Sequence, residues 1–198
     1  MKNREEIPSA IAPQMPPPEM LGPKIELMMN NMYVFMDDVH VDSMQPVIEW
    51  ILSANMRKKR PKELIIAICS RGGDLNACFA LVDVMMGSKI PIKTVGLGVI
   101  ASCGLLMFMT GTKGRRILTP NTSILSHQYT AGAYGKEHEL IARNVEMDLT
   151  SKRIMQHYKK CTGLSEKVIR KSLMPEHDVW LTAQQAKKMG ICDNIKKL

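Results

Sequence analysis

Residues 63 to 70, ELIIAICS, form an apolar run with one charged residue at its head, rich in β-branched isoleucine and only as long as a strand. A strand with no polar face needs cover on both sides, which is the environment at the centre of a parallel sheet. RGGD at 71 to 74 breaks the run, and LNACFALVDVMMGS then carries apolar residues at helical spacing. IKTVGLG at 92 to 98 begins the same progression again, a strand leading into an apolar segment. Such alternation of strand and helix predicts an α/β fold with right-handed crossovers.

The flanking segments fit that plan. MYVFM reads as a strand, and DSMQPVIEWILSANM as a helix capped by Asp42 or Ser43, with Pro46 tolerated in its first turn. RRILT and SILSH read as short strands around a turn. Residues 136 to 160 form a long amphipathic helix that Gly163 stops, on which His138 and His157 are expected to face solvent. Ser165 caps a short helix through Leu173, and Thr182 caps AQQAKKM, which Gly190 ends before a last strand, ICDNI. Six prolines crowd the first 23 residues, so 1–24 is expected to be an extended arm and 25–198 one globular domain.

Several classes of function are disfavoured at this point. The formal charge is +8, but the basic residues are scattered and aromatics make up only 5%, so no nucleic-acid partner is expected. Five cysteines, Cys69, Cys78, Cys103, Cys161 and Cys192, form an odd set without a CxxC pair, which speaks against a disulfide framework or a metal site. The N-terminus does not resemble a secretory or transit peptide, and no stretch reaches the roughly 20 apolar residues that span a bilayer. The expectation is a cytoplasmic protein without membrane contact.

In an α/β sheet, ligands gather where strands end and helices begin. Two junctions qualify: Gly72 and Gly73 after IIAICS, and Ala101 and Ser102 before CGLLMFM. Ser102 opens a helix, where free N–H groups and partial positive charge favour a developing oxyanion, although serine at this place is commonly just an N-cap. Cys103 is the competing nucleophile, since helix N-termini lower thiol pKa values, and also reads well as a buried core thiol. A hydroxyl nucleophile needs a base and a group to orient it. His127, at the end of SILSH, is the candidate base by context, and the residues alone leave its role open.

Taken together, ICSRGGD, ASCG, GTKGRRILTPNTSILSHQ and EHDVWLTAQQAKKMGICD resemble, in order, the ordered motifs of the ClpP family of serine peptidases. The resemblance covers the chain from about Ile25 onward. It implies a ClpP/crotonase-like fold with a parallel sheet, flanking helices and a protruding handle helix over 136–160. By the same resemblance Ser102 matches the nucleophile, His127 the general base and Asp178 the residue that orients it, with Gly73 and Cys103 N–H groups as the oxyanion hole. Substrate would add as a strand along Gly72, Gly73 and Leu75 on one side and Gln128, Tyr129 and Thr130 on the other. The family implies heptameric rings stacked as a tetradecamer, unfolded proteins or peptides as substrates, no cofactor in this subunit, and an AAA+ Clp ATPase that spends the ATP.

The chain departs from the family pattern at several points. Arg71 and Tyr129 stand where the family has prolines, Val99 and Ile100 where it has Gln and Ala, and the Pro-rich arm replaces a recognisable axial loop. Two alternatives remain beside an ATPase-fed peptidase: a peptidase working without an ATPase, and a catalytically silent ring subunit.

Overall fold

The computed structural model describes residues 22–197. Nearly all of the expected arm therefore lies outside the described residues. The first helix, α1 (Pro23–Met29), begins inside the expected arm boundary, and Pro23 suits its first turn because the missing N–H would have had no partner there.

From there the chain runs β1 (Met32–Met36), α2 (Val41–Met56), β2 (Leu64–Ser70), α3 (Leu75–Gly87), β3 (Ile92–Ala101), α4 (Cys103–Met109), β4 (Arg116–Leu118), β5 (Ser123–Ser126), α5 (Glu137–Thr162), α6 (Glu166–Ser172), β6 (Val179–Thr182), α7 (Ala183–Lys188) and β7 (Asn194–Ile195). The α/β expectation holds: β1, β2, β3, β4 and β7 are hydrogen-bonded in that order and all pair in parallel. The core explains the apolar run of β2, since Leu64, Ile66 and Ile68 are fully buried, and α4 beside it has all seven of its residues buried.

β3 gives the sheet its unusual form. Its first half pairs with β4 at 94–96, and its second half pairs with β5 at 99–101. One strand thus serves two partners end to end, and the sheet branches. β6 then adds to β5 in antiparallel sense. No strand was expected at 179–182; VWLT is short, and in the structure its residues alternate between half-buried and exposed.

Two local expectations are corrected. α2 is capped by His40 rather than by Asp42 or Ser43: His40 Nδ1 accepts the Ser43 N–H at 3.2 Å while Ser43 Oγ accepts the His40 N–H at 3.1 Å. Pro46 consequently lies beyond the first turn of that helix. His157 does not face solvent, because α5 is exposed over its first half and buried only from Thr150, Ile154, Met155, His157 and Tyr158 onward. Its Nε2 lies 3.0 Å from the Leu106 carbonyl oxygen of α4, and burial holds its pKa below the ordinary histidine value. Gly163, at φ 77°, ends α5 as expected.

An ion pair between buried Arg116 and half-buried Asp193 locks β4 to the C-terminal end. Arg116 reaches Asp193 through Nη2 at 2.6 Å and Nε at 3.0 Å, and its Nη1 donates to the Cys161 carbonyl at 2.8 Å. Burial alone pushes the Asp193 carboxyl up, but the hydrogen bonds and charge of Arg116 prevail and hold it below the usual carboxylate range.

Candidate active site

Because β2, β3 and β5 run in parallel, their carboxyl ends open on one edge of the sheet. The loop after β2 carries Gly72 and Gly73, the end of β3 leads into Ser102, and His127 follows β5. The antiparallel strand β6 brings its opposite end to the same edge. Its register sets Ser126 against Val179, so the neighbouring residues, His127 and Asp178, emerge side by side. His127 Nδ1 lies 3.5 Å from Asp178 Oδ1.

The glycine turn is held against the Ser102 turn. A Cβ on Gly72 would lie 2.6 Å from the Ser102 Cβ and 3.0 Å from the Cys103 amide nitrogen, and Gly72 has φ 104°. Only glycine permits both the approach and that backbone. A segment that sequence reasoning missed completes the turn: Val39 N–H donates to the Gly72 carbonyl and the Val39 carbonyl accepts from Asp74 N–H, each at 2.7 Å. Nothing local in DDVHVD signals this, since the pairing joins residues more than thirty apart. The N–H groups of Gly73 and Cys103 have no hydrogen-bond partner among the described residues.

Ser102 sits at the N-cap position of α4, yet its side chain makes no capping bond. Its backbone has φ 53° and ψ −122°, a conformation uncommon for any residue but glycine. Strain of this kind costs on the order of 1–3 kcal/mol and persists where the surroundings enforce it. Ser102→Gly is therefore expected to be about 1 kcal/mol more stable than Ser102→Ala, which retains a Cβ in the same conformation, as comparison of their thermal melts will read.

The Cys103 side chain is engaged within the core. It is fully buried, donates its thiol to the Gly73 carbonyl at 3.2 Å, and contacts Cys78, whose own thiol donates to the Cys103 carbonyl at 3.4 Å. The Cys78 thiol beside it holds Cys103 below the ordinary thiol value, and the same contact together with burial drives Cys78 well above it.

Ser102, Cys103, His127 and Leu75 open on one cleft of about 20 Å³, with Tyr129 and Tyr158 among its walls. His127 Nε2 is buried there without a hydrogen-bond partner among the described residues. No hydrogen bond joins Ser102 and His127 in this conformation, as is common in sites without substrate. Tyr158, whose hydroxyl lies 2.8 Å from Ser126 Oγ, has its pKa pushed up to about 12 by burial. That α5 supplies a wall of the cleft was not foreseen, although the buried positions 150, 154 and 158 fall at helical spacing. Of the other expected groove residues, Gln128 and Thr130 are exposed beside the cleft and Tyr129 is half-buried.

The protein-family model for "Clp protease" matches residues 23–197. The chain belongs to the Clp protease family. Among its relatives, the ATP-dependent Clp protease proteolytic subunit 1 of Chlamydia abortus is 35% identical over 134 residues, 67% of this chain and 69% of the relative. The ATP-dependent Clp protease proteolytic subunit 2 of Corynebacterium diphtheriae is 34% identical over 134 residues, 68% of this chain and 66% of the relative. The mostly parallel branched sheet, flanking helices and long α5 of this Clp-family chain accord with the ClpP/crotonase-like architecture that its motifs implied. No described helix is long and apolar enough to cross a membrane.

Proposed function

We propose that the chain is a serine endopeptidase subunit in which Ser102 is the nucleophile, His127 the general base and Asp178 the group that orients the imidazole. The observation that carries this reading is the β5–β6 register, which sets His127 Nδ1 at 3.5 Å from Asp178 at the mouth of the cleft that Ser102 also lines. Asp178 fixes the tautomer with the proton on Nδ1, so that Nε2 is free to accept the Ser102 proton as Oγ attacks the peptide carbonyl. The imidazolium returns that proton to the leaving amine, and water, activated in the same way, hydrolyses the ester. The N–H groups of Gly73 and Cys103 receive the oxyanion, a use that fits their lack of other partners.

The surroundings of the two side chains support serine over cysteine. Ser102 is half-buried and its hydroxyl makes no capping bond, whereas the fully buried Cys103 thiol donates to the Gly73 carbonyl. Substrate lies as an added strand between Gly72, Gly73 and Leu75 and the segment Gln128, Tyr129 and Thr130. Family membership supports assembly into heptameric rings stacked as a tetradecamer, with unfolded proteins or peptides delivered by an AAA+ Clp ATPase. The catalytic residues need no cofactor, and ATP belongs to the partner.

Labelling with a fluorophosphonate probe tests the chemistry, with Ser102 expected as the modified residue by peptide mapping. Casein degradation measured with and without a Clp ATPase tests the partner. A native mass near that of a single chain, with no labelling at residue 102, would refute the reading.

A further inference from the structure

The cleft at Ser102 shares two of its walls, Tyr129 and Ile154, with a much larger cavity. The larger space, about 310 Å³, is lined by Met147, Met155 and Met174 and has Arg170 among its polar groups. Tyr129 is a wall of both, and it is tied in place. Its hydroxyl donates to the Met147 carbonyl at 2.9 Å and lies 3.2 Å from Ser151 Oγ, both on α5. On its other side Gln128 donates Nε2 to the Met174 and Pro175 carbonyls, each at 3.1 Å. The segment after His127 is thereby pinned to α5 by one residue and to the loop before β6 by the next.

The sizes decide what can enter. The Ser102 cleft, at about 20 Å³, is a small fraction of the neighbouring cavity of about 310 Å³ measured in the same way. The larger cavity can take a branched or aromatic side chain, and Ser102 is not among its walls.

We propose that Tyr129 is the specificity-determining residue of this site: its pinned ring partitions the Ser102 cleft from the methionine-lined cavity and restricts the residue on the acyl side of the cleaved bond to glycine or alanine. This rests on the serine-peptidase reading above. Tyr129→Ala removes the partition and joins the two spaces into one deep pocket. Tyr129→Phe keeps the ring and loses only the tie to Met147 and Ser151, a modest interaction for a neutral hydrogen bond, so the ring swings more freely.

The test is a series of peptidyl-coumarins that differ only in the residue before the coumarin, with alanine, leucine or phenylalanine there. The native chain is expected to favour alanine over phenylalanine in kcat/KM by at least tenfold. In Tyr129→Ala the phenylalanine-to-alanine ratio is expected to rise at least tenfold, and in Tyr129→Phe to rise by a smaller factor in the same direction. Fluorophosphonate labelling of Ser102 in all three chains separates the two readings. Absence of labelling in the native chain defeats the peptidase assignment and this proposal with it. Labelling with equal turnover of the alanine and phenylalanine substrates, or with a ratio that neither substitution moves, defeats the partition alone.

Discussion

Ser102→Ala is expected to lower peptide hydrolysis on the order of 10⁶-fold, to the residual rate that binding and oxyanion stabilisation supply in serine peptidases lacking their nucleophile. The folded state should hardly notice the change. The hydroxyl makes no capping bond, so its loss leaves no buried partner unsatisfied, and the strained backbone at residue 102 is retained. Turnover of a peptidyl-coumarin beside the thermal melt of the same preparation reads both effects. A variant keeping a tenth of native activity would remove Ser102 from the mechanism. Attention would then pass to Cys103, whose lowered pKa has the Cys78 thiol as its first cause.

Asp193→Ala is expected to cost about 2–4 kcal/mol, toward the lower end of the range for leaving a buried charge without its partner, because Asp193 itself is only half-buried. Arg116 is 3% exposed, and the substitution strands its guanidinium beneath α5 with the Cys161 carbonyl as its remaining side-chain contact among those described. Two backbone donors, the N–H groups of Gly114 and Arg116, lose the same carboxylate. Denaturant titration measures the loss, with the midpoint falling at unchanged slope. The same pair sets a pH dependence. The Asp193 carboxyl is held below its unfolded value of about 3.9, so its contribution is complete above that pH and is lost as pH falls through the lower, folded value. The native chain should therefore lose stability in that acid range more steeply than Asp193→Ala, and equal acid sensitivity of the two would contradict the assignment.

Much of the architecture could be read from hydrophobic pattern, because buried parallel strands and the helices on them leave long signals. β2 shows a continuous apolar run, β3 one from Val95 onward, and α5 a long periodic stretch with glycine at its end. β6 left no such signal: four residues on an outer strand are held by pairing with β5, and pairing is not written in local sequence. The same limit applies to the site. Position along the chain singled out Ser102 and His127, each at a strand end, but nothing near Asp178 marked it, and its match came only from the resemblance. Its placement depends on the β5–β6 register, a long-range property. His157 was misjudged because half of α5 stands free and half is packed, so one periodic pattern covers two environments.

The branching of β3 divides the site between two supports. Gly72, Gly73 and Ser102 ride on the main sheet, while His127 and Asp178 ride together on the small β5–β6 ribbon, which joins β3 through three register pairs. The ribbon is also tied to the serine turn, because the Ser102 N–H donates to the Leu125 carbonyl of β5 at 3.1 Å. His127 and Asp178 are thus carried on one piece of structure, and a contact made with the ribbon bears on both side chains together.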